Sequence, residues 1–132
     1  MKVNELLENA KDKVCSEEGW QEAYDALHDL SWEEAVKHPK AVEWVCWYAE
    51  FIIKGRWEAA EPIIMKSAEW SYWYTRKSFN GRWEAAEPII MKSAKWAYLY
   101  ALNVIKDKWP EAEPFIMQNT LQWEFYKRAF NL

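Results

Sequence analysis

Residues 55 to 68 read GRWEAAEPIIMKSA, and residues 81 to 94 read the same fourteen letters again. A repeat at a fixed offset restricts the fold more than any other feature here, because both copies must take up one local structure and meet comparable neighbours. Sliding the chain along itself by 26 residues extends the match in both directions. Tyr48, Tyr74, Tyr100 and Tyr126 coincide, as do Trp44, Trp70 and Trp96, and also Pro62, Pro88 and Pro114. Upstream, SWEEAVKHPKAVEWVCWYAEFIIK is the same unit with one residue fewer between Trp32 and Trp44. Downstream, DKWPEAEPFIMQNTLQWEFYKRAFNL is the unit again, with its second tryptophan one place on at Trp123. Four units therefore begin near residues 31, 55, 81 and 107, the outer two irregular in the manner of end caps on a repeat array.

Within a unit, Pro62 to Ser67 reads as a short helix, since proline at a first helical position forfeits no intrahelical hydrogen bond, and Glu61 is placed to cap it. Proline deep inside a helix costs about 3 kcal/mol, so the preceding WEAAE reads as a separate turn or a tight helical start. The second segment, as in AKWAYLYALNVIK, carries Trp96, Tyr100 and Val104 on one side, with Tyr98, Leu102 and Ile105 as a second stripe. An apolar surface that wide belongs to a helix with neighbours on more than one side. The glycine that follows is the expected helix stop in a left-handed conformation. In residues 1 to 30, Val3, Leu6, Leu7, Ala10 and Val14 form one amphipathic face, and Trp20, Ala23, Tyr24, Leu27 and Leu30 form another after the break at SEEG. Ser31 and Glu34 have capping-box spacing at the head of the first unit. The expected fold is all-α: a right-handed, solenoid-like stack of short helical hairpins, residues 31–132, preceded by an N-terminal helical pair, residues 1–30. A chain of 132 residues makes this one domain, 1–132.

Charge and composition narrow the functions. Residues 1 to 30 hold three Lys against eight Asp and Glu, so the net charge of -4 lies mostly in the helical pair. No broad basic face is available for extended nucleic acid. Cys15 and Cys46 lack CxxC spacing and read as small buried residues, not metal ligands. The charged opening MKVNELLENAKDK is unlike a signal peptide, and the longest uncharged run, WAYLYALNVI, is too short for a membrane span. A cytoplasmic protein with no membrane partner is expected.

No catalytic constellation can be assembled, and no cofactor is implied. His28 and His38 lie outside metal-ligand spacings. Glu61, Glu87 and Glu113 recur in register with Arg56, Arg82 and Lys108. A catalytic pair of carboxylates needs one asymmetric environment, whereas a residue present in every unit reads as a cap or an ion pair between repeats. Trp57, Trp83 and Trp109 recur likewise and read as packing wedges between units. Gly19, Gly55 and Gly81 are too far apart for a phosphate loop.

Copying has made the first segments of the middle units identical, so divergence in the adjoining helices stands out. Where the flanking units read AEFIIK and ALNVIK, the middle one reads TRKSFN, placing Arg76, Lys77 and Ser78 where apolar residues would continue the stripe. Tyr72, Arg76 and Phe79 then share a helical face. Trp47 and Trp73 occupy one repeat position, which the next unit fills with Leu99, fitting either a tolerant core slot or a recognition aromatic. The candidate binding residues are Tyr72, Trp73, Arg76, Lys77 and Trp47, two cations among aromatics suited to an anionic partner. Arg and Lys stems can also cover aromatic surface with no ligand present.

The phrases YAEFIIKGRW and DKWPEAEPFIM resemble the short α-helical tandem repeats of tailed-phage and some bacterial proteins, whose units run through a KGRWPEAEP turn. The resemblance covers about residues 37 to 130, with Ala59 and Ala85 in the turn and no proline after Trp57 or Trp83 as departures. It implies an all-helical repeat protein of phage origin and brings no established activity. The expectation it supports is a non-enzymatic binding protein in the host cytoplasm that docks on a host or phage protein and inhibits or redirects it, a counter-defence role. Two alternatives stand beside it. One is a sponge that sequesters a nucleotide-type small-molecule signal by stacking on aromatics and pairing with Arg76 and Lys77. The other is a homo-oligomer assembled through the ends of the stack.

Overall fold

A computed structural model describes residues 2–13 and 17–132, and every regular element among them is helical. The N-terminal pair is α1 (Val3–Ala10) and α2 (Glu17–Leu27). Val3 and Leu7 of α1 close with Ala23 and Leu27 of α2 over Ala35, Trp32 and Trp44 of the first unit. The Trp20 indole ties the pair together by donating to the Leu7 carbonyl at 2.7 Å. Val14 and Cys15 lie outside the described residues.

Each unit contributes a short helix and a longer one. The short helices are α3 (Trp32–Ala35), α5 (Glu61–Ile64), α7 (Glu87–Ile90) and α9 (Glu113–Ile116). The longer ones are α4 (Ala41–Tyr48), α6 (Ala68–Tyr74), α8 (Ala94–Tyr100) and α10 (Thr120–Phe130). Of the two forms expected for the WEAAE segments, the tight helical start is the one observed: a single 3-10 turn at Glu58–Ala60, and again at Glu84–Ala86, runs directly into α5 and α7. Four-residue helices cannot hold their shape in water, so packing must fix them. Each of α5, α7 and α9 lies against its own unit's longer helix and that of the unit before, while α4 packs on α6, α6 on α8 and α8 on α10. The residues at those contacts repeat: Ala60, Ala86 and Ala112, then Ile64, Ile90 and Ile116, are all 0% exposed. A methyl group at the first position lets the backbones approach, and the isoleucine fills the centre.

Two local features depart from the sequence expectation. First, α4, α6 and α8 each run on into one π-helical turn, at Ala49–Ile53, Thr75–Phe79 and Ala101–Ile105. There the Lys54 N–H reaches the Ala49 carbonyl at 2.8 Å and the Lys106 N–H the Ala101 carbonyl at 2.7 Å, five residues back in both cases. Second, the left-handed stop is the residue before the glycine at Lys54 (φ 60°) and Asn80 (58°), and before Asp107 at Lys106 (62°), with Asn131 (57°) ending α10. A lysine there costs about 1–2 kcal/mol in backbone strain, which the packing of the turn must offset. Gly81 then takes φ 149°, where a side chain is strained.

At Ser31 the capping expectation holds in altered form: its hydroxyl accepts the Glu34 N–H at 3.2 Å and donates to the Glu34 carboxylate at 3.1 Å. Glu61 does not cap α5; the N-cap position belongs to Ala60, and the carboxylate is engaged elsewhere.

Candidate functional site

The recurring charged residues form a fastening. The Tyr74 hydroxyl accepts the Trp57 N–H at 2.7 Å and donates to Glu61 at 2.6 Å, while Arg56 grips both carboxylate oxygens at 2.9 and 3.0 Å. Trp83, Tyr100, Glu87 and Arg82 repeat the arrangement with distances of 2.8 to 2.9 Å. In the last unit Tyr126 bridges the Trp109 N–H and Glu113, both at 2.8 Å. Lys108 stands in the arginine position there, and an ammonium lacks the planar fork that grips a carboxylate through two bonds. Burial pushes Glu61 and Glu87 upward, yet the bonds from arginine and tyrosine outweigh it and hold both carboxyls below their ordinary range. Burial and the neighbouring carboxylate push the Tyr74 and Tyr100 phenols up, and Tyr126 up to about 12. Each tyrosine ring also packs on the tryptophan nine residues on: Tyr48 on Trp57 at 5.1 Å, Tyr74 on Trp83 at 5.1 Å and Tyr100 on Trp109 at 5.0 Å between centroids. The tryptophans thus join consecutive units, ring to one tyrosine and backbone to the next.

The groove between α4 and α6 is different. It is open, about 240 Å³, and lined by Glu43, Cys46, Trp47 and Glu50 of the first unit with Trp70, Trp73, Tyr74 and Lys77 of the second. Its origin is one residue. Cys46 holds the repeat position that Tyr72 and Tyr98 hold in the next two units. Between α6 and α8 the Tyr72 ring lies 5.4 Å from Trp96, and its hydroxyl accepts from Asn103 at 2.9 Å and from Arg76 at 3.4 Å. A thiol in that place leaves the corresponding space between α4 and α6 unfilled. Burial, then the charge of Glu50, push the Cys46 thiol up to about 12, so it stays protonated and is no nucleophile. Its weak S–H contact runs to the Trp70 carbonyl at 3.8 Å.

The polar rim is unspent. Glu50 is half-buried, and neither it nor Lys77 has a hydrogen bond or ion pair among the described residues. Glu43 is exposed and feels the charge of Lys40, whose direct partner is Glu22. A wider hollow of about 570 Å³ on the first segments of the second and third units is lined by Arg56, Glu61, Phe79 and Arg82. Both arginines there are already bound to their own glutamates, and Arg56 lies over Phe79 at 4.5 Å.

Of the five residues singled out from the sequence, Trp47, Trp73 and Lys77 come together in the groove. Arg76 is exposed but outside it, bonded to Tyr72 and 6.0 Å from the Trp73 ring. Tyr72 is 1% exposed, its ring and hydroxyl both committed within the fold, which leaves no surface for a ligand. Phe79 packs between Tyr74 and Trp83, not with Tyr72 and Arg76. The expected stripe through Arg76 and Lys77 fails because the π turn spends an extra residue per turn. Both point outward, and Ser78 is the polar residue that becomes buried, at 3% exposure. Nor is the groove suited to a strongly anionic ligand, with two carboxylates beside one ammonium. Composition gave no pointer to Glu50, Trp70 or Cys46 as site residues. The signal was positional: a small residue in register with two tyrosines.

Among the described residues no three His, Cys, Asp or Glu side chains gather as metal ligands, and no helix is long and apolar enough to cross a membrane. His28 is stacked on Tyr24 and bonded to its carbonyl, and His38 accepts the Lys40 N–H and lies on Trp44. Comparison with known proteins finds no matching family model, no curated relative and no similar solved structure.

Proposed function

We propose that this chain is a non-enzymatic helical-repeat binding protein, its four units forming a right-handed, solenoid-like stack, and that the groove between the first and second units seats part of a partner protein. The observation that carries this reading is the indole-walled gap at Cys46, with unpaired Glu50 and Lys77 at its rim. Its volume of about 240 Å³ lies below the roughly 300–1,000 Å³ of sites that engulf a whole small molecule. It matches the pocket that receives one anchoring side chain at the centre of an interface, where tryptophan dominates the energetics. The likeness of the repeat to phage-borne units directs the search to a host or phage protein, which the chain inhibits or redirects in a counter-defence role.

The nucleotide-sponge reading draws on Lys77 beside Trp47 and Trp73. Two carboxylates on the same groove and the diversion of Arg76 to Tyr72 weigh against a phosphate there. Self-assembly draws on exposed Met117, Leu121 and Phe125 in the last unit.

The test is comparative capture. Wild-type and Cys46→Tyr chains are immobilised and exposed to the same host lysate, with helicity checked by circular dichroism. A protein retained by wild type and lost by an equally helical variant is the expected result. Identical captures by both, or retention of AMP in equilibrium dialysis with no protein captured, would overturn the reading.

A further inference from the structure

We infer that the side chain this groove accepts is a tyrosine of the partner protein, supplied in trans at the place where the repeat itself omits one. The inference rests on the docking reading above, and its template lies one unit along. There the Tyr72 ring packs on Trp96, and its hydroxyl meets one residue four positions on in its own helix, Arg76, and one from the next helix, Asn103. Shifting each of these back by 26 residues gives Cys46 for the ring, Trp70 for the wall, Glu50 for the first polar contact and Lys77 for the second. All four line the groove.

The polar pair then has a chemical meaning. A phenol is at once donor and acceptor. Glu50 is a half-buried carboxylate that can only accept, Lys77 is an ammonium that can only donate, and neither has a partner among the described residues. A tyrosine hydroxyl between them satisfies both, with the ring against the Trp70 indole. A phosphate would meet Glu50 and Glu43. An arginine would meet Lys77. A phenylalanine would fill the space and leave the half-buried carboxylate bare, which costs binding energy.

The test uses p-cresol, the tyrosine side chain as a free molecule, with toluene as the counterpart lacking the hydroxyl. Binding is followed through the indole N–H signals of the isotope-labelled full-length chain. Expected is saturable binding of p-cresol that moves Trp47, Trp70 and Trp73, about tenfold or more weaker binding of toluene, as befits a site built to bond a hydroxyl, and loss of both in Cys46→Tyr. Glu50→Leu should narrow the gap between p-cresol and toluene without abolishing either, and keeps the test open if Cys46→Tyr folds poorly. Equal binding of the two probes, no saturation, or p-cresol binding that survives in a folded Cys46→Tyr chain overturns the inference. If p-cresol fails while lysate capture still depends on position 46, docking stands and the tyrosine does not. If p-cresol binds while capture is unchanged, the slot is real and the partner docks elsewhere.

Discussion

A tyrosine hydroxyl is the hinge of each fastening. Tyr74 and Tyr100 are 1% and 0% exposed, and each satisfies a backbone N–H and a carboxylate at once. Tyr74→Phe keeps the ring on Trp83 but strands the Trp57 N–H and takes one of two donors from Glu61 Oε2, which Arg56 still holds, so thermal or denaturant unfolding should show a loss of about 1–3 kcal/mol. A loss within error would mean that the network contributes little beyond ring packing. The carboxylates add a pH dependence of definite sign. Glu61 and Glu87 are held below the ordinary 4.5, so folding favours the ionised form. Their contribution is complete above that value and drains away as the pH falls through the depressed folded-state value. Unfolding temperature measured downward from neutral pH should drop more steeply for wild type than for the Glu61→Gln, Glu87→Gln double variant. Parallel profiles would contradict the assignment.

The elements were unequally legible. Spacing alone located the proline-led short helices and the tyrosine and tryptophan registers, because each depends on identity at a fixed offset. The π turns left no trace in the sequence, since one extra residue in a turn changes where side chains point but not which residues recur. That is why the TRKSFN segment reads as a break in an apolar stripe when Arg76 and Lys77 in fact face outward. The break lies instead at Ser78, buried with a hydroxyl that makes no hydrogen bond, where the neighbouring units have Ile52 and Val104. Ser78→Ala removes a desolvated, unpaired hydroxyl with little change in volume, so chemical denaturation should register a gain of about 1 kcal/mol. A destabilised variant would show that the hydroxyl has a partner after all. The groove was half legible: Trp47, Trp73 and Lys77 could be chosen as unusual, but the space between them follows from the size of Cys46, a quantity that repeat matching does not weigh.

At the scale of the whole molecule, units meet through rings that each withdraw about 150–250 Å² from water on burial, and each of the last three units closes its own tyrosine fastening. Tyr74 and Tyr126 share no hydrogen-bond partner. The stability losses of Tyr74→Phe and Tyr126→Phe should therefore add to within about 0.5 kcal/mol in the double variant. A large shortfall would mean that the fastenings are coupled along the chain. The same regularity makes the exception at position 46 meaningful, since Tyr72 occupies between α6 and α8 the place that Cys46 leaves open between α4 and α6. The decisive measurement is a high-resolution structure of the Cys46→Tyr chain. The account predicts that the new ring enters the groove and packs on Trp70 much as Tyr72 does on Trp96, at 5.4 Å, with its hydroxyl between Glu50 and Lys77. A ring turned out to solvent over a groove that stays open would contradict it.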